Sequence, residues 1–161
     1  MQPNKMDDTY LHILRSLVSS NLRFIVMGTY GLRLHSEIFK DLLIKDCDLA
    51  LENTLSNINI FIESALRLGW KVELWGQEVK SQLDYSVLNG KYYLRAKKEE
   101  YLVDATYELN FTSFETFLSD FKIIHGIPVA SIKSIIDLKR KVGRKSDIES
   151  IAEIEKLLNQ V

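Results

Sequence analysis

The sequence is poor in the residues that fix structure covalently or through a rigid backbone. Cys47 is the single cysteine among 161 residues. No internal disulfide can form, which fits a reducing cytoplasm. Two prolines and seven glycines leave few obligatory turns, and no repeat or low-complexity stretch is present. The histidines are only three, His12, His35 and His125, and each stands alone, without the grouped imidazole ligands a zinc site needs. No apolar run is long enough to span a bilayer, and the polar start from Met1 to Lys5, expected to be loose, has no secretory pattern. Neither sign of charge dominates: 21 basic residues against 22 acidic give a net charge of −1. There is no general pull toward nucleic acid or a membrane surface, and a polymeric substrate would need a local basic patch. A cytoplasmic protein is expected.

What is abundant is core-forming material. Hydrophobic residues make up 46% and charged residues 27%, ordinary values for a globular protein, and the length suits one domain, 1–161, with a real core. Leu11, Leu14, Leu17 and Val18 recur at helical spacing, with Asp7 or Asp8 as the expected N-cap. Phe24 to Met27 reads as a short buried strand, and Gly28-Thr29 turns the chain into a helix. After a connecting segment, Asp46 to Leu51 reads as a strand. Thr54 caps a long helix carrying Leu55, Ile58, Ile62 and Leu66, closed by Gly69. Trp70 to Trp75 alternates as a half-buried strand. Leu83–Leu88 and Tyr92–Ala96 flank Asn89-Gly90, the strongest short hairpin signal available, and Tyr101 to Leu109 is expected as a third strand of that meander. Ser113 caps a short helix, Ile123 to Val129 is strand-like around His125-Gly126, and Ser131 opens a helix. Ser146-Asp147-Ile148-Glu149 reads as a capping box for the last one.

The chemistry concentrates between Gly28 and Asp48. A strand alternates faces, so Asp46 and Asp48 project together while Cys47 and Leu49 point the other way. Surface or turn carboxylates would also fit, but aspartate is depleted in strands. Two carboxylates on one face repel and cost desolvation unless a cation lies between them, and oxygen-only ligands suit Mg²⁺. Gly28 permits a backbone conformation that a side chain forbids, and the helix start it opens presents N–H groups to a phosphate, with the Thr29 hydroxyl beside them. Cys47 reads as a small buried hydrophobe rather than a nucleophile. Lys139 falls on the apolar stripe of the helix after Ser131, and either snorkels outward or reaches into a cleft toward phosphate. Trp75, Tyr92 and Tyr93 would line a groove or, more ordinarily, pack on the sheet.

Gly28-Thr29 followed by Asp46-x-Asp48 resembles the signature of the DNA polymerase beta-like nucleotidyltransferase superfamily, closest to its small single-domain members, the minimal and AbiEii-type proteins. Lys45 matches the lysine many of these carry directly before Asp-x-Asp. The run Leu138-Lys139-Arg140…Gly143-Arg144…Asp147 is similar to theirs as well. Lys40 or Asp41, and Ile44, stand where relatives have Arg and Thr or Ser. The resemblance implies an α+β (α/β) fold: a mixed, mostly antiparallel sheet packed against helices in one domain, without a third layer. It implies a third carboxylate, Asp104 in preference to Asp84, that completes the metal site and helps deprotonate an acceptor hydroxyl. It further implies transfer of a nucleoside monophosphate from a nucleoside triphosphate, ATP being expected, with two Mg²⁺ ions held by Asp46, Asp48 and Asp104. The phosphates would rest on Gly28, Thr29, Lys45 and Lys139. The acceptor is left open among small molecule, protein and RNA. The missing Arg and Thr also admit a second expectation, a binding or regulatory module without turnover, such as one half of a toxin–antitoxin pair with a small helical protein partner.

Overall fold

The computed structural model describes residues 5–160, so the expectation for the first four residues lies outside it. Helix α1 (Lys5–Ser19) already includes Lys5, and Asp7 and Asp8 sit in its first turn rather than at a cap. Asp7 instead accepts from the Arg33 guanidinium at 3.1 and 3.0 Å. The chain continues through β1 (Phe24–Met27), α2 (Gly28–His35), a single 3₁₀ turn (Glu37–Phe39), β2 (Cys47–Leu51) and α3 (Leu55–Arg67). The hairpin β3 (Lys71–Leu74) and β4 (Gln77–Val79) follows, then a one-turn helix α4 (Tyr85–Leu88) and the hairpin β5 (Tyr93–Lys98) and β6 (Tyr101–Thr106). Helix α5 (Phe114–Leu118), the hairpin β7 (Phe121–Ile124) and β8 (Ile127–Ala130), α6 (Ile132–Val142) and α7 (Lys145–Leu158) complete it.

The eight strands among the described residues form one sheet in the order β4-β3-β5-β6-β2-β1-β8-β7. It is mixed and mostly antiparallel, as expected: only the β1–β8 and β2–β6 pairings are parallel. One face packs on α1 and α3. There Tyr10, Ile13, Leu14 and Leu17 meet Ile58, Phe61, Ile62 and Ala65 over Val26, Leu49, Leu94 and Val103, all buried. This alternation of buried and polar positions is what the strand periodicity demands.

The expectation of no third layer is corrected. Ile25, Met27, Ala50 and Ala130 on the opposite face of β1, β2 and β8 lie under Phe114, Phe117, Ile135, Ile136, Ile151 and Ile154 from α5, α6 and α7. No residue of β3 to β6 belongs to this second cluster. The part of the sheet formed by β1, β2 and β8 is therefore covered on both faces. The covering ends between β2 and β6.

The expected hairpin about Asn89-Gly90 is also corrected. Asn89 adopts φ −61°, whereas a two-residue hairpin turn of that kind needs positive φ at both central positions. Positive pairs occur instead at Trp75 (49°) and Gly76 (81°), which join β3 to β4, and at His125 (52°) and Gly126 (80°), which join β7 to β8. Tertiary contacts override the local signal. The Asn59 side chain holds both backbone groups of Leu83, at 2.8 and 3.1 Å, and Tyr107 Oη donates to the Leu88 carbonyl at 2.8 Å. Residues 80–84 thus lie outside any strand, with a bend at Ser81, and Asp84 caps α4 by position instead of lying on a strand beside Asp104. The last helix starts earlier than Ser146. Asp147 accepts from the backbone N–H of Arg144 at 3.2 Å and from its Nε at 2.8 Å, closing the turn from the other side.

Candidate active site

The parallel pairing of β2 with β6 sets Asp48 directly opposite Asp104, and the antiparallel pairing of β1 with β2 sets Met27 opposite Asp48. Asp46 stands two residues earlier on the same side, just before β2 begins. Each of Asp46, Asp48 and Asp104 offers a carboxylate oxygen, and these oxygens lie within 4.8 Å of one another. Cys47, between the two aspartates, is fully buried in the opposite core. The triad sits at the boundary where the second helical layer ends.

The backbone of Gly28 closes the floor. It has φ +71°, and a Cβ built there would lie 2.5 Å from Asp48 Oδ2. Glycine is needed on both counts, a left-handed conformation and a close approach. Helix α2 begins at this residue, with Met27 at its cap position and no side chain bonded to its first N–H groups. Thr29, next along, receives a hydrogen bond from Lys139 Nζ at 3.2 Å. Lys139 arrives from α6, whose Ile135 and Ile136 anchor it in the second core. It therefore reaches inward.

The electrostatics are strained. Asp48 is pushed up to about 8, first by burial and then by Asp46 and Asp104. Asp46 is raised for the same reasons, burial before Asp104, with Arg95 opposing. Burial lowers Lys139, against the pull of Asp147 and Asp48. Burial also pushes the Cys47 thiol well up, so it is no ready nucleophile. Three clustered, largely desolvated carboxylates are what a hard divalent cation neutralises, and their all-oxygen donor set suits Mg²⁺.

Of the residues singled out from the sequence, the fold brings together Asp46, Asp48 and Asp104, with Gly28 against them, and pairs Thr29 with Lys139. Lys45 is exposed and makes no hydrogen bond or ion pair among the described residues. Trp75 and Tyr92 pack on each other at 5.6 Å yet remain about half exposed. One participant was missed. Arg95 on β5 lies opposite Asp104 and grips its carboxylate with two bonds, Nε to Oδ1 at 2.7 Å and Nη2 to Oδ2 at 3.0 Å. The short Glu99-Glu100 turn would have revealed it, because antiparallel register from Lys98–Tyr101 puts residue 95 across from 104.

This architecture is shared with solved structures. TM1012 of Thermotoga maritima, provisionally described as a nucleotidyltransferase, superposes over 100% of this chain and 97% of its own, with a TM-score of 0.62 and 14% identity. ANT(2″)-Ia, solved with adenylyl-2″-tobramycin, superposes over 89% of this chain and 84% of its own, with a TM-score of 0.54 and 20% identity. The chain has the nucleotidyltransferase fold. No protein-family model matches the sequence, and no curated protein matches it. At these identities the likeness concerns the fold, and the chemistry has to be argued from the side chains. No helix among the described residues is long and apolar enough to cross a membrane.

Proposed function

We propose that this protein transfers a nucleoside monophosphate from a nucleoside triphosphate, ATP in the first instance, to a hydroxyl acceptor. The observation that carries the reading is the convergence of Asp46, Asp48 and Asp104 within 4.8 Å beside a glycine turn that opens a helix. Asp46, Asp48 and Asp104 would hold Mg²⁺, two ions in the full site. Bound there, the ions would neutralise phosphate charge and lower the pKa of the acceptor hydroxyl. Gly28 leaves room for the Asp48 carboxylate against the backbone, and the N–H groups at the start of α2 would point a positive dipole end at the phosphates. Thr29 and Lys139 act as a pair. The hydroxyl orients the ammonium, and the ammonium offsets charge on the departing pyrophosphate. Lys45, exposed next to Asp46, is free to meet the outer phosphates. Asp104, once released by Arg95, would take the acceptor proton.

ANT(2″)-Ia, whose structure holds an adenylylated aminoglycoside, favours a small hydroxyl compound as one acceptor to try, alongside protein and RNA. A second reading, a nucleotide- or protein-binding module without turnover, as in a toxin–antitoxin pair with a helical partner, is favoured by two features. Both oxygens of Asp104 are taken by Arg95, and Lys40 or Asp41 and Ile44 occupy the places of the family's Arg and Thr. Calorimetric titration of a non-hydrolysable ATP analogue with Mg²⁺, comparing the parent with Asp46→Asn/Asp48→Asn, tests the site. Metal-dependent binding lost in the double variant is the expected result, and equal binding by both proteins would sink the assignment. Incubation with α-phosphate-labelled ATP then separates the two readings, since only a transferase moves label to an acceptor.

A further inference from the structure

The geometry points to Arg95 as a positioning residue that acts as an internal counter-cation, holding Asp104 and competing with divalent metal for it. The inference rests on the metal site proposed above. A carboxylate offers a metal its two oxygens, and both oxygens of Asp104 accept from Arg95, at 2.7 and 3.0 Å. Asp104 is 9% exposed, so its partner was chosen by the fold and not by solvent. Among the described residues, no guanidinium bonds Asp46 or Asp48. The triad is thereby divided, two carboxylates open to a cation and one already paired.

The surroundings of Arg95 supply a second position for it. On β3, Glu73 lies directly opposite Arg95, on the side away from Asp104. It is mostly buried and bonds Lys97 at 3.4 Å. The Arg95 guanidinium also stands 6.0 Å from the centre of the Tyr93 ring, two residues along the same strand face. A guanidinium leaving Asp104 therefore finds an aromatic face and a carboxylate without crossing the sheet. Its fixed charge beside the triad lowers the affinity for free divalent metal and leaves tight binding to metal that arrives with the triphosphate. Asp104 is freed only when that complex is in place.

Two measurements test this without reference to turnover. Free Mn²⁺ is followed by electron paramagnetic resonance in titrations of the parent, Arg95→Gln, Arg95→Lys and Asp48→Asn. Arg95→Gln is expected to bind Mn²⁺ at least about fivefold tighter than the parent, since the local positive charge is gone, with Arg95→Lys in between because an ammonium keeps the charge but not the two-point grip. Arg95→Gln binding equally or more weakly overturns this inference and leaves the metal site standing. Absence of Mn²⁺ binding in both the parent and Arg95→Gln, as in Asp48→Asn, overturns both. In the unaltered protein, the Nε–H resonance of Arg95 is expected to move toward the free-arginine position as Mg²⁺ and the ATP analogue saturate the site. A resonance unmoved at saturation overturns the inference, even if the variants fail to fold.

Discussion

Two groups of buried aspartates in this protein live under opposite conditions. Asp147, at the start of α7, is 5% exposed. Burial works against its charge, but the Arg144 guanidinium and backbone N–H outweigh it and hold the carboxyl below its ordinary value. Asp46, Asp48 and Asp104 share one guanidinium among three carboxylates, and Asp48 is driven up to about 8. A buried carboxylate that stabilises a helix is one whose charge is fully answered. A cluster left under-neutralised is kept for something that comes from outside, and perturbed groups of this kind gather at functional sites.

The sharpest break in this contrast is Asp48→Asn. It removes charge from the triad at little cost to packing. Transfer of labelled nucleotide should fall by about 10³-fold, several kcal/mol of lost transition-state stabilisation, while the melting temperature without metal rises or stays level. A variant that labels its acceptor at the parental rate would move the chemistry elsewhere.

The pH dependence separates the two groups by sign. Asp48 is raised on folding, so in chelator-treated protein the stability it contributes is complete below about pH 4 and is lost as pH rises toward about 8. The loss amounts to up to about 5 kcal/mol. Asp147 is depressed, so its contribution is present above its unfolded value and fades as pH falls below it. Denaturant melts from pH 4 to 9 on the parent and on Asp48→Asn should show a clearly larger upper-pH loss in the parent, the remainder in the variant belonging to Asp46, which is also raised. Added Mg²⁺ should restore stability at pH 8. A parent that becomes steadily more stable up to pH 9 without metal contradicts the strained triad.

Gly28→Ala tests the floor of the site. A left-handed backbone and a Cβ 2.5 Å from Asp48 Oδ2 should cost about 2–3 kcal/mol in chemical denaturation, and metal affinity should fall with it. Lys139→Met keeps the apolar stem on α6 and deletes the charge. Nucleotide should bind roughly tenfold more weakly, about 1.4 kcal/mol, with no loss of stability, because a buried ammonium is a burden to the fold. The smallest effect belongs to the answered carboxylate: Asp147→Asn should lower stability by about 1 kcal/mol and leave nucleotide binding unchanged. Equal damage to binding from Asp147→Asn would erase the distinction between the two groups.

Much of the architecture was legible because it depends on local pattern. Caps at Thr54, Ser113 and Ser131 each place a hydroxyl on the third N–H of the helix they open, an arrangement short enough to be read from neighbours in sequence. The period-two alternation from Cys47 to Leu51 separated Asp48 from the core side before any pairing was known. Asn89-Gly90 misled because turn propensity is worth little against long-range bonds. Asn59, 24 residues away, captured Leu83 and drew the segment out of the sheet. The second layer was hidden for a related reason. Phe114, Ile135 and Ile151 look like ordinary amphipathic stripes, and only the chain's crossings decide which face of the sheet they cover.

The sequence by itself determined which residues stand in unusual places: aspartates two apart where a strand begins, a glycine opening a helix, and a lysine on an apolar stripe. Those are properties of spacing, and spacing survives any packing. The tertiary structure decided that Asp104 faces Asp48 across a parallel pair whose strands are separated by three intervening strands and two helices in the chain. It also decided that Arg95 takes Asp104 and that Lys139 meets Thr29, 110 residues before it. Contacts between distant segments depend on strand order and register, which are settled by burying one continuous core rather than by any short stretch of chain.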